Sequence, residues 1–184
     1  MRVIAGTAGG LRLQCPQGIA RPMMDRVRGA VFSSLGDAVP GARALDLFAG
    51  SGALGIEALS RGATSCVFVD NHRKSASVIR ANLAHARLRG EVRLQDAAKF
   101  LASATPGSFD LVFADPPFAL PAGNPAHPAM LLAGSDLARA VRPGGCFIVE
   151  LPVEPPAGTE AWGLLRCRHY GQAWVAIYRR GSDA

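Results

Sequence analysis

No stretch of this 184-residue chain is apolar for the ~20 residues that a membrane-crossing helix requires, although 49% of the residues are hydrophobic. The start, MRVIAGTAGG, is strand-like and lacks the apolar core of a signal peptide. Both absences speak against a membrane or exported protein and predict a soluble, cytoplasmic one. The four cysteines, Cys15, Cys66, Cys146 and Cys167, form no C-x-x-C pair, and no histidine stands at ligand spacing. Cys66 and Cys146 lie in apolar strand-like runs, so they read as core, and neither a metal nor a disulfide is expected. Internal repeats and low-complexity tracts are missing as well. The length suits one sizeable domain with a short extension and is too small for two full domains.

Lysine is scarce too, and the excess positive charge of +6 is carried almost wholly by arginine. Scattered arginines on a solvated surface would be the simplest account. Their distribution argues for attraction to phosphate instead. Arg2, Arg12, Arg21, Arg26 and Arg28 crowd the start, where only Asp25 and Asp37 oppose them. Charge alone therefore points to nucleic acid as a partner.

What is present is a regular alternation. Arg2 to Gly6 and Leu11 to Gln14 read as two strands joined by the turn Thr7-Ala8-Gly9-Gly10, a β-hairpin. After Pro22 a helix is predicted, with Val27, Val31 and Leu35 on its apolar stripe, Arg26 and Arg28 off it, and Gly36 at its end. From Arg43 onward strands and helices alternate. Strands are predicted at Ala44 to Phe48, Ser65 to Val69, Glu91 to Leu94, Phe109 to Ala114 and Gly145 to Glu150. Helices fall at Ala53 to Ser60, His72 to Arg87, Ala97 to Ala102 and Ala129 to Val141, the last followed by a Pro143-Gly144 turn. Two further strands, about Gly163 to Arg168 and Ala173 to Tyr178, are close enough to pair antiparallel. Such a pattern implies an α/β protein whose parallel sheet is covered on both faces. The division expected is an extension over residues 1–41 facing a nucleic acid, and a domain over 42–184.

In a parallel sheet the C-terminal strand ends share one edge, and that edge faces the binding crevice. Here it gathers Asp46, Asp70, Asp96 and Asp115. The loop after the first strand spaces Gly50, Gly52 and Gly55 as G-x-G-x-x-G, a weak signal that also fits a dinucleotide. Asp70 stands 20 residues after Gly50, where a carboxylate can accept from two ribose hydroxyls. Asp46 discriminates between ligands, because a carboxylate before the glycines repels a pyrophosphate and welcomes an ammonium or sulfonium. S-adenosylmethionine has both cations and no phosphate. Asp96 with Ala97 suits the rim of an adenine. Far downstream, Asp115-Pro116-Pro117-Phe118 places a carboxylate beside two residues that lack amide hydrogens and one aromatic face. Asp115 and the Pro116 carbonyl can take the two hydrogens of a conjugated amine and turn its lone pair toward a methyl donor, while Phe118 stacks the base. By itself this motif serves guanine N2, adenine N6, cytosine N4 or a glutamine amide equally. The glycines alone also leave open an NAD-binding oxidoreductase or a non-catalytic RNA-binding module.

With RPMMDRVR before them, DLFAGSGALGIEALSRGA and FDLVFADPPF resemble the bacterial 16S ribosomal RNA guanine-N2 methyltransferases. The resemblance runs from RVIAG to YGQAWVAIYRR. It implies a class I methyltransferase fold: a Rossmann-like, doubly wound sheet of about seven strands, the last antiparallel, preceded by the hairpin and helix. It implies S-adenosylmethionine as cofactor, held by Asp46, Phe48, Ala49, Gly50, Ser51, Gly52, Asp70, Asn71, Asp96 and Ala97. It implies catalysis by Asp115, Pro116, Pro117 and Phe118, and 16S ribosomal RNA or the small subunit as partner of a monomer. The chain departs from the family at Met23 and Met24, where threonine is usual, at Gly29, where glutamate is usual, and at Ala173, where threonine is usual. Hydroxyl contacts from the N-terminal motif are thereby in question.

Overall fold

The computed structural model describes residues 1–16, 23–118, 120–121 and 123–182. The expected alternation is present. Strands β1 (Arg43–Leu47), β2 (Ser65–Asp70), β3 (Glu91–Leu94), β4 (Phe109–Ala114) and β5 (Val141–Leu151) are parallel, and β6 (Gly158–Thr159), β7 (Trp162–Tyr170) and β8 (Ala173–Arg180) follow. They form one sheet in the order β3-β2-β1-β4-β5-β8-β7-β6. β8 enters antiparallel between β5 and β7. The sheet thus has eight strands rather than about seven, the extra one being the two-residue β6.

Helices α1 (Asp25–Leu35), α2 (Ala53–Ser60), α3 (Arg73–Ala86), α4 (Ala97–Ser103), α5 (Pro128–Ala133) and α6 (Ser135–Ala140) cover the two faces. Successive strand residues point to opposite sides, so the apolar strands feed two cores. Phe68, Phe113 and Ile148 pack with Val31, Phe32, Ile56 and Ile79 on one face. Leu45, Leu47, Val112 and Phe147 pack with Leu101 and Leu137 on the other. Val3, Leu13, Met23 and Val27 belong to the first core, so residues 1–41 share the packing of the sheet.

Three local expectations change. The helix predicted from Ala129 to Val141 breaks at Gly134, whose extended backbone (φ −80°, ψ 149°) ends α5 and opens α6; glycine costs a helix interior ~1 kcal/mol relative to alanine. Pro143-Gly144 is a bulge inside β5, not a turn before it. β4 advances from Phe109 to Leu111 while β5 advances from Val141 to Cys146, and a proline cannot donate to the ladder. The N-terminal hairpin is present but shortened: its arms share one antiparallel bridge, Arg2 with Arg12, and backbone bonds from the Val3 amide to the Leu11 carbonyl, the Gly10 amide to the Val3 carbonyl and the Leu13 amide to the Met1 carbonyl, at 2.9, 2.9 and 3.2 Å. Its remaining amides turn to α2: those of Ile4 and Ala5 donate to the Glu57 carboxylate at 2.7 and 3.1 Å, and that of Ala8 donates to Ser60 Oγ at 2.9 Å.

α1 begins where expected but without a side-chain cap: Met24 occupies the N-cap with φ −62° and ψ 146°, and its side chain accepts from none of the first amides. A hydroxyl at that position accepts from one of them. Met24→Thr is therefore expected to raise stability by about 1 kcal/mol, read as a higher denaturant midpoint at unchanged slope. An unchanged midpoint would show that the first turn of α1 gains nothing from a cap.

Candidate active site

The glycine loop is held by two carboxylates from the strands it joins. Phe48 leaves β1 with φ +57°, and Gly50 and Gly52 follow with φ +54° and +79°. A non-glycine residue in that region is uncommon and marks a constrained loop. Gly52 is the N-cap of α2 and has no side chain to offer its amides. Asp46, 1% exposed, does so from β1: its Oδ2 accepts from the Gly55 amide at 2.8 Å. Gly55 cannot be larger, since a Cβ there would lie 2.3 Å from the Phe68 ring; the third glycine lets the helix close on the sheet. Asp70 ends β2 and braces the same loop, accepting from the Gly50 amide at 2.9 Å and the His72 amide at 2.8 Å. A carboxylate has about four acceptor positions, so Asp70 retains capacity for hydroxyls. Ala49 donates to the Val69 carbonyl at 3.1 Å, and Asn82, fully buried, donates to the Ser51 carbonyl at 2.9 Å.

Register places the acids in one row. Asp46 is level with Phe68 on β2 and with Phe113 on β4, and Phe113 is level with Ile148 on β5. Counting in twos, Asp70, Asp46, Asp115 and Glu150 share one face at the C-terminal edge. Asp115 accepts from the Met23 amide at 3.0 Å through Oδ2. Burial pushes its carboxyl up to about 6, against the lowering effect of that amide. Asp46 is raised well above the ordinary carboxylate range, chiefly by burial, with the Gly55 amide opposing and Asp115 and Asp70 adding to it. Burial, reinforced by Asp115, pushes Glu150 up to about 7. Pro116 is buried, Pro117 is exposed, and Phe118 is 47% exposed. Asp96 lies beyond β3, half-buried, and caps α4 by accepting from the Lys99 amide at 3.0 Å; Ala97 is buried and Asn71 exposed. The arrangement is an acidic row around a loop of constrained backbone, ending at a carboxyl followed by two prolines and an open aromatic face.

The family model described as Conserved hypothetical protein 95 matches residues 1–179. The chain belongs to that family. It is 35% identical over 187 residues to the Bacillus subtilis protein named "Putative rRNA methyltransferase YlbH", covering 98% of this chain and 99% of that one. It is 33% identical over 186 residues to the Haemophilus influenzae protein named ribosomal RNA small subunit methyltransferase D, covering 97% and 93%. Among solved structures it is similar to the "Putative methyltransferase yhhF from Escherichia coli", with a TM-score of 0.83, 33% identity and coverage of 100% and 99%. The family resemblance carried by the motifs is borne out, and the fold is that of the class I methyltransferases.

The departures from the family pattern now have surroundings. Met23 meets Asp115 through its backbone amide, so that contact needs no hydroxyl. Met24 leaves α1 uncapped. A Cβ on Gly29 would make ordinary contact with Ile4 at 3.8 Å, and Ala173 is buried opposite Tyr170 where β7 and β8 meet.

The arginines divide. Arg2, Arg12 and Arg26 are exposed, while Arg21 lies outside the described residues, as does Pro22. Arg28 is corrected from a phosphate ligand to an internal one. It is 0% exposed and donates to the Met23 carbonyl at 3.4 Å, to Asp25 at 2.9 Å and to the Arg2 carbonyl; its Nε lies 3.8 Å from Glu57. Glu57, also 0% exposed, receives Arg61 at 2.6 Å besides the Ile4 and Ala5 amides. Glu57 and Asn82 were not singled out from the sequence. Phe32 was the available signal for Arg28: it is buried, and four residues before it lies the same helical face.

Removing Arg28 leaves a buried carboxylate short of a partner. Arg28→Ala is expected to cost about 3 kcal/mol or more, whereas Arg26→Ala stays within about 0.5 kcal/mol. Denaturant unfolding of both variants checks this. Equal stabilities would return Arg28 to the surface.

Proposed function

We propose that this protein is a cytoplasmic methyltransferase that uses S-adenosylmethionine to methylate the exocyclic N2 amine of a guanine in 16S ribosomal RNA of the small subunit. The observation that carries the reading is Asp115: a carboxyl with raised proton affinity, on one face with Asp46 and Asp70, followed by two prolines and the exposed Phe118. The names of the relatives supply the RNA class. The motif resemblance supplies guanine.

The residues present suit that cofactor. Three carboxyls surround the loop, and one of them, Asp46, is so desolvated that it resists ionisation without a nearby cation. A pyrophosphate there would meet like charge. When bound, S-adenosylmethionine supplies a methyl group on a cationic sulfur. Asp70 keeps acceptor capacity for vicinal hydroxyls, and Asp96 with Ala97 borders the adenine position. Asp115 and the Pro116 carbonyl take the two amine hydrogens, so that the nitrogen lone pair faces the loop. Asp115 is also the nearest acceptor for the proton that the amine gives up when its N–C bond forms. Phe118 stacks the base, which must leave its helix to reach the edge. Arg2, Arg12 and Arg26, exposed on the 1–41 extension, support contacts with RNA phosphates.

Labelled methyl transfer to under-methylated small subunits, beside protein-free RNA, tests the reading once the modified base is mapped. One labelled guanine is expected; a labelled adenine or cytosine would replace the assignment. Asp115→Ala should lower kcat at least a hundredfold with affinity for S-adenosylhomocysteine retained by calorimetry, and full turnover would remove its role. Asp70→Ala should weaken that affinity at least tenfold, and an unchanged value would free Asp70 from the ribose. Because Asp115 must be ionised to accept, kcat/KM should fall as pH drops through about 6. A level profile between pH 5 and 7 would contradict that requirement.

A further inference from the structure

β5 brings a carboxyl to the site that the steps above do not use. Ala114 is level with Val149, so the next residues, Asp115 and Glu150, stand side by side on adjacent strands, which lie ~4.8 Å apart. They share a face, as the Phe113–Ile148 pairing requires. Glu150 Oε2 is buried and meets no hydrogen-bond donor among the described residues. Buried acceptors are nearly always satisfied, and one without a donor among the described residues is open to a water or to a ligand N–H. On the other side of Glu150 the same face carries Val175 of β8 and then Arg168 of β7. Among the described strand residues, the charged groups along this face are therefore Asp115, with Asp46 and Asp70 beyond it, Arg168 and Arg166 two strands away on β7, and Arg179 further down β8.

We propose that Glu150 reads the N1–H of the target guanine while Asp115 holds its N2 amine. The inference rests on the guanine-N2 reading and deepens it. Guanine presents a ring N–H directly beside its amine. Adenine and cytosine present a bare ring nitrogen, an acceptor, beside theirs. Two neighbouring carboxylates complement two neighbouring donors and repel the alternative edge, leaving its ring nitrogen desolvated and unpaired. The D-P-P-F motif cannot make this distinction, since it meets only the amine and the face of the ring. Glu150 thus supplies the selectivity that the motif lacks. In the free protein, burial and Asp115 favour the neutral acid; an N–H donor at Oε2 favours the ionised form. The base that Glu150 recognises is therefore also the one that makes it an acceptor.

The test uses small-subunit RNA carrying guanine or 2,6-diaminopurine at the mapped position. Both bases offer a 2-amine, but diaminopurine has a bare N1. The wild-type protein should show kcat/KM at least a hundredfold lower for diaminopurine. Glu150→Gln, whose amide can offer oxygen to N1–H or nitrogen to bare N1, should shrink that gap tenfold or more while affinity for S-adenosylhomocysteine is unchanged. Absence of wild-type transfer to the guanine RNA overturns the methyltransferase reading and this one with it. Given that transfer, equal use of both bases by the wild type, or loss of both by Glu150→Gln in the same proportion, overturns the role of Glu150 alone. If Glu150→Gln loses cofactor affinity, the wild-type preference between the two bases decides.

Discussion

Glu57 is a carboxylate with no solvent exposure, and the first residues of the chain, α1 and the end of α2 all supply it with partners. Desolvating such a group costs several kcal/mol unless ion pairs and hydrogen bonds offset it. Its two oxygens take the Ile4 and Ala5 amides and Arg61, and Arg28 closes over it. Arg28 in turn gathers the Arg2 and Met23 carbonyls and Asp25. One side chain on α2 thereby joins the first residues of the chain, α1 and the helix that carries the glycine loop. The line of contacts ends at the acidic row, because Met23, whose carbonyl Arg28 holds, gives its amide to Asp115. A second clamp lies beside it: Asn82 on α3 exchanges two hydrogen bonds with the backbone of Gln14 and a third with Ser51 in the loop.

The acidic row at the sheet edge works in the opposite direction. Asp46, Asp115 and Glu150 each resist ionisation through burial, and Asp115 adds repulsion to both neighbours. The folded value of Asp115, about 6, lies above its ordinary 3.8. The native state therefore takes up that proton first on acidification, and ionisation of Asp115 lowers stability as pH rises from about 4 to about 6. Interactions elsewhere, with the Glu57 cluster foremost, offset the cost of gathering these carboxyls at one edge. Mutually repelling carboxyls of this kind at a strand edge mark a candidate functional site, since folding alone does not favour them.

The frame of this architecture could be read from one chain because its signals are local. Alternating apolar runs, the glycine spacing and aspartates at strand ends each depend on a few neighbouring residues. What escaped depends on partners far along the chain. Arg28 looked solvated because Val27, Val31 and Leu35 alone define a narrow stripe; Phe32 widens it, and only Glu57, 29 positions away in sequence, explains why a guanidinium can stand there. The hairpin's attachment to α2 escaped for the same reason, since Glu57 lies 53 and 52 positions beyond the Ile4 and Ala5 amides that it binds. Glu150 looked like the last residue of a buried strand; its meaning arises from the β4–β5 register, which no local pattern encodes. The bulge at Pro143-Gly144 masqueraded as a turn because both use the same residues.

β8 has a temporal consequence. It is the last strand in chain order, yet it lies inside the sheet, hydrogen-bonded to β5 on one side and β7 on the other. During synthesis the nascent chain must therefore hold two open edges until residues 173–180 emerge from the ribosomal tunnel. Long-range pairings of this kind are slow, and unpaired edges invite wrong partners. Tyr178, fully buried and hydrogen-bonded to the Pro156 carbonyl at 2.8 Å, rings Phe147 within the core. Its arrival closes the apolar layer and the sheet together. The fold is completed from its C-terminal end, and vectorial translation cannot hand the crevice a finished wall until that strand has been delivered.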